Sequence, residues 1–117
     1  MEKVKSFLYL IKLYNDNEEF FKIGISVHKF CRFYQIMKFG YKCEIIYMLC
    51  GNDYSTFLKL EEYLHCKYAN NRYSPLIKFG GYCECYTNIH QKEYTKLLRI
   101  IYPVNIPVIK NLEISWR

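Results

Sequence analysis

Apolar and polar residues alternate along 6–13, a polar gap follows at Asn15–Glu19, and a second apolar run spans Phe20 to Ile25. Alternation of period two buries one side of an extended chain, so each run predicts a β-strand. Asn15, Asp16 and Asn17 supply turn chemistry, because Asn and Asp tolerate left-handed backbone and bond their own main chain. The two strands are therefore expected to form an antiparallel hairpin. Phe30, Phe33 and Met37 then recur at spacings of three and four. That stripe predicts a helix running from a Ser26 cap to about Phe39 and closed by Gly40.

Lys42 to Leu49 reads as a third strand, with its turn at 51–53. Phe57, Leu60, Leu64 and Tyr68 form the buried side of a second long helix that begins at Asp53 or Ser55. Residues 70–75 and 80–81 are loops, and Tyr82 to Tyr86 reads as a short edge strand. Asn88 is placed to cap a third helix to Ile101, with Gln91 at the reciprocal capping position. The tail from Pro103 to Arg117 fits an added edge strand, a wrap around the domain or a dimer contact. The sum is an α+β fold: a small, mainly antiparallel, three-stranded sheet flanked by helices.

A chain of 117 residues with 51% hydrophobic content makes one packed domain. Its core is expected over 6–90, with a helix and tail over 91–117. No apolar stretch approaches the roughly 20 residues of a membrane helix. Met1–Lys5 lacks the pattern of a secretory signal, so a cytoplasmic or nuclear location is expected, or the host cytoplasm for a viral protein. A net charge of +6 favours a polyanionic partner. Ala69 is the sole alanine among abundant lysines, a bias that fits an AT-rich or viral genome. The six cysteines contain no C-x-x-C and are expected to stay reduced. Cys66, Cys83, Cys85 and His90 are the one conceivable zinc set, far from known spacings.

Three residues carry candidate chemistry in the first third of the chain. Tyr9 offers a phenol on strand one, and Lys22 on strand two is placed to reach it; a neighbouring ammonium favours a phenolate. Arg32, one of four arginines against thirteen lysines, offers a two-pronged phosphate contact that never loses its charge. On the second helix, a carboxylate at Glu61 or Glu62 borders the buried stripe and could bind one divalent ion. His65 lies four residues after Glu61, hence on the same helix face. Gly24 fits a place where a side chain would crowd an incoming phosphate.

This order and spacing resembles the GIY-YIG nuclease superfamily over roughly residues 6 to 90. Leu8-Tyr9 stands at the first half-motif and Lys22-Ile23-Gly24 at the second, with Arg32 eight residues beyond the glycine. Leu60–His65 resembles the helix that carries the family's metal-binding glutamate, which favours Glu61 and leaves Glu62 facing solvent. Lys22 replaces the tyrosine of most members, as in a branch that includes phage and large-DNA-virus proteins. Glu84, within Gly80–Tyr86, resembles a Glu-aromatic segment of that branch.

The resemblance implies a metal-dependent DNA endonuclease that hydrolyses phosphodiester bonds. Tyr9, Lys22, Arg32, Glu61 and His65 would be catalytic, and Glu61 would hold Mg²⁺ or Mn²⁺. Lys22, Gly24, Arg32 and Tyr34 would touch DNA, with Tyr41 the alternative to Tyr34. Asn70, Asn71 and Asn88 compete for the family's downstream asparagine. Branched or partly single-stranded DNA suits the many tyrosines, which can stack on bases. A homodimer is one route to cutting both strands. The alternative is a catalytically inactive module of the same fold that binds nucleic acid or protein.

Overall fold

The computed structural model describes residues 5–115. The signal-peptide expectation on residues 1–4 and the last two residues of the tail lie outside the described residues. Strands β1 (Ser6–Tyr14) and β2 (Glu19–Ser26) form the expected antiparallel hairpin. Its turn is held as the residue types require, with Asn15 Oδ1 accepting from the N–H groups of Asn17 at 2.8 Å and Glu18 at 3.0 Å. Strand β3 (Lys42–Gly51) pairs antiparallel on the other side of β1.

Two further strands enlarge the sheet, so the three-stranded expectation is corrected to five, in the order β4-β2-β1-β3-β5. Strand β4 (Cys85–Tyr86) is two residues long and pairs with Phe21 and Lys22 of β2. Strand β5 (Val108–Ile114) fills the other edge, against β3. Its rhythm is broken at Asn111, which has φ +51° and interrupts the pairing between Lys110 and Leu112. Such a left-handed residue in the strand hides the strand pattern in the sequence and makes the outer edge a poor template for another chain. Both edge strands form because β2 and β3 offer unpaired ladders.

Helix α1 (Cys31–Met37) is shorter than expected and is not capped by Ser26. Ser26 closes β2 instead, its Oγ accepting the N–H of His28 at 3.0 Å and donating to that residue's carbonyl at 2.7 Å. Gly40 does adopt the left-handed backbone, at φ +96°. Helix α2 (Tyr54–Lys67) starts as the sequence indicates, with the Asp53 side chain accepting from Thr56 N–H. Helix α3 (Gln91–Ile101) begins at a His90 cap, not at Asn88. Asn88 takes a φ of +53°, using the left-handed tolerance of asparagine rather than its capping oxygen.

Each face of the sheet is covered. Phe7, Tyr9, Ile11 and Leu13 of β1 face Phe33 and Ile36 of α1 and Phe79 of the 72–81 loop. Leu8 and Leu10 face Phe57, Leu60 and Leu64 of α2 and Tyr94 and Leu98 of α3. This division decides where the reactive groups can meet. No helix among the described residues is long and apolar enough to cross a membrane.

Candidate functional site

Tyr9 lies at the middle of β1 and is fully buried against α1, its ring edge-on to Phe33 at 5.0 Å. Lys22 pairs with Ile11 across the hairpin, so alternation puts it on the same face as Tyr9. Its Nζ donates to the Tyr9 hydroxyl at 2.9 Å. Gly24 is the direct cross-strand partner of Tyr9. A Cβ there would come within 2.6 Å of Tyr9 Cζ and 3.1 Å of Lys22 Nζ. The glycine is therefore needed to seat the Tyr9–Lys22 pair itself. The strand continues past it to Ser26.

Lys22 has only 3% of its surface exposed. Burial works against its charge, yet Tyr9 and Glu84 outweigh burial and raise its pKa above the ordinary lysine value. Glu84 supplies the countercharge, with Oε1 accepting from Lys22 Nζ at 3.1 Å. It stands on a single 3-10 turn, Tyr82–Glu84, that drapes over the β2 edge just before β4. Gly81 makes that turn possible at φ +86°, where a Cβ would lie 2.8 Å from Lys22 Cε.

Arg32, on the first turn of α1, is exposed and makes no ion pair among the described residues. It shares with Tyr9 and Lys22 a cleft of about 50 Å³, walled by Gln35, Phe39 and Gly80. Tyr34 does not line that cleft; it packs half-buried against the core of the α1 face. Tyr41 is also structural, its hydroxyl spent on Glu18.

Glu61 and His65 come from α2, on the other face of the sheet. Glu61 is buried on the helix, whereas Glu62 points to solvent. His65 is fixed by a hydrogen bond between its Nδ1 and the Tyr86 hydroxyl, with the two rings stacked at 5.6 Å. This leaves Nε2 aimed between two carboxylates, 3.7 Å from Glu61 Oε2 and 3.4 Å from Glu84 Oε2. These are charge contacts, and Nε2 is buried with no hydrogen-bond partner among the described residues. Burial alone would lower the His65 pKa, but Glu61 and Glu84 push it up to about 9. Burial likewise opposes ionisation of Glu84, and His65 and Lys22 overcome it, holding the carboxyl down to about 2.

One ligand atom from each of Glu61, His65 and Glu84 lies within 4.8 Å of the others. This cluster could hold a metal ion, and the donor set fits one: two carboxylates and an imidazole nitrogen lacking a partner. The conceivable zinc set does not gather among the described residues. Cys66, Cys83 and His90 are exposed and Cys85 is buried, its thiol pushed up to about 12 by burial. Asn71 is committed to the chain, donating from Nδ2 to the Thr87 carbonyl at 3.2 Å.

The five residues expected to be catalytic thus fall in two groups. Tyr9, Lys22 and Arg32 share the cleft on the α1 face, while Glu61 and His65 lie on the α2 face. Glu84 joins them, one oxygen on Lys22 and the other towards His65. Sequence reasoning gave Glu84 a lesser part and passed over Tyr86 and Gly81. The clustering of Gly80, Gly81, Glu84 and Tyr86 within seven residues was the available signal. The chain matches no protein-family model, and no curated protein or solved structure is significantly similar to it.

Proposed function

We propose that the protein is a metal-dependent endonuclease of the GIY-YIG type that hydrolyses phosphodiester bonds in DNA. The observation that carries this reading is the continuous line of contacts from Tyr9 through Lys22, Glu84 and His65 to Glu61. It connects a phenol beside a buried ammonium to a cluster of three groups that could hold a cation, with the exposed Arg32 guanidinium lining the same cleft as the phenol. Hydrolysis by in-line attack needs those three things: a base, a cation for the phosphate and a Lewis acid.

Tyr9, its oxygen held by the Lys22 ammonium, acts as the general base on the attacking water. Arg32 neutralises the phosphate oxygens as charge builds on them. Glu61, His65 and Glu84 would hold Mg²⁺ or Mn²⁺, which when bound polarises the phosphate and stabilises the departing 3′-oxygen. The imidazole in the set favours Mn²⁺ over Mg²⁺, which prefers oxygen and water. Lys22 has two duties on this reading, steadying the Tyr9 oxygen and orienting Glu84.

A plasmid-nicking assay with Mg²⁺, Mn²⁺ or EDTA tests the proposal. Cleavage that depends on the ion and is faster with Mn²⁺ is expected. Tight, salt-sensitive DNA binding with no cleavage under any ion would replace the enzyme by a non-catalytic binding module of the same scaffold.

A further inference from the structure

A second cavity opens on the same face of the sheet as the cleft. It has a volume of about 480 Å³. Phe7, Cys50 and Ile109 form its floor, and Lys5, Lys29 and Asn52 form its rim. A hydrogen bond from Cys50 N–H to the Pro107 carbonyl, at 2.9 Å, pins the wall contributed by the segment before β5. Lys5 and Lys29 are exposed and make no ion pair among the described residues.

The two cavities are built on the same two stretches of chain. Phe7 and Tyr9 are alternate residues of β1, both facing α1, so they are roughly 7 Å apart along the strand. That spacing brings the two cavities within reach of one extended strand. Lys29 and Arg32, three residues apart, deliver one cation to each cavity. An apolar floor takes the face of a ring, the two ammonium groups take the flanking phosphates, and the Asn52 amide offers a donor and an acceptor to a base edge. The charge of the rim disfavours a purely apolar occupant.

We propose that this cavity is a nucleobase subsite that receives an unpaired base of the nucleic-acid strand whose phosphate lies at the Tyr9–Arg32 cleft. The proposal rests on the nucleic-acid reading of that cleft and names the substrate class: DNA with a base free of its partner next to the phosphate to be cut. A stacked, paired base cannot enter a cavity of this kind without extraction, which costs a few kcal/mol. Unpaired strands are therefore selected over duplex.

The test uses the full chain in EDTA, so that no strand is cut. Oligonucleotides carrying 2-aminopurine at successive positions are titrated as single strands and as duplexes, by anisotropy and by 2-aminopurine emission. The single strand is expected to bind roughly tenfold or more tightly than the duplex, with an emission change confined to one position. Cys50→Phe, which fills the cavity, should abolish that change. Asn52→Ala, at an exposed position that needs no repacking, should weaken it. Equal affinity for the two forms overturns the proposal, as does an emission change untouched by Asn52→Ala. A free nucleoside monophosphate that competes as well as the oligonucleotide also overturns it, in favour of a free-nucleotide site. Failure of the nicking assay leaves this result standing, whereas cleavage with no preference for unpaired bases sinks the subsite alone.

Discussion

Glu18 and Glu84 are both half-buried acids that tie a distant loop to the β1–β2 hairpin, and they are satisfied in opposite ways. Glu18 accepts from the Tyr41 hydroxyl at 2.5 Å, the Tyr73 hydroxyl at 2.6 Å and the Leu76 N–H at 3.2 Å. Its partners are uncharged donors, and burial is outweighed by those bonds, so its pKa is lowered. Glu84 faces Lys22 and His65, and the His65 Nε2 is buried with no hydrogen bond among the described residues. A carboxylate saturated by neutral donors is a fastener. One that shares cations with a second carboxylate and an unpartnered imidazole is poised for an incoming charge, at a cost in stability.

The largest effects that test this contrast are on activity. Tyr9→Phe and Glu61→Gln are each expected to lower the nicking rate by about 10²-fold or more, in protein that urea denaturation shows to be folded. Wild-type cleavage by either folded variant would break the comparison on the functional side. Glu18→Ala should do the reverse. It strands two tyrosine hydroxyls and an N–H, a loss of about 3 kcal/mol in urea denaturation, with the activity of the folded fraction unchanged.

A smaller effect concerns ion binding without turnover. Mn²⁺ at ten times its dissociation constant adds about 1.4 kcal/mol, a rise of several degrees in the melting temperature. Glu18→Gln should keep the full rise and Glu61→Gln should lose it. An equal rise in both would move the ion elsewhere.

The smallest differences are in pH dependence, and they have opposite signs for the two regions. The pKa of Glu18 is depressed on folding, so its stabilisation is present above the ordinary carboxylate value and lost as pH falls through the lowered one. The stability gap between wild type and Glu18→Gln should close in acid. The pKa of His65 is raised to about 9, so its stabilisation is complete below its unfolded value near 6.5 and lost as pH climbs through 9. The gap between metal-free wild type and His65→Ala should therefore shrink over that window. A gap that widens there would show His65 to be held neutral in the fold.

Much of the scaffold was legible because local chemistry wrote it. Asn15 announced its turn, Asp53 its cap and Gly40 its left-handed stop, each by a side-chain or backbone property that acts over a few residues. The misreadings share a cause. Ser26 and Asn88 are good caps in isolation, but one is held in the end of β2 and the other in a left-handed turn before α3. The β5 strand, interrupted at Asn111, and the two-residue β4 carry no pattern of their own to read.

By itself, the sequence determined that Tyr9 and Lys22 share one face of a hairpin and that Glu61 and His65 share one face of a helix. Both follow from the fixed periods of strand and helix. Only the tertiary structure decided that these pairs, on opposite sides of a sheet, are brought together by Glu84 at its edge. Periodicity specifies neighbours within an element, whereas the path of a glycine-released turn around β2 is set by long-range packing and by the buried charge of Lys22 that had to be answered.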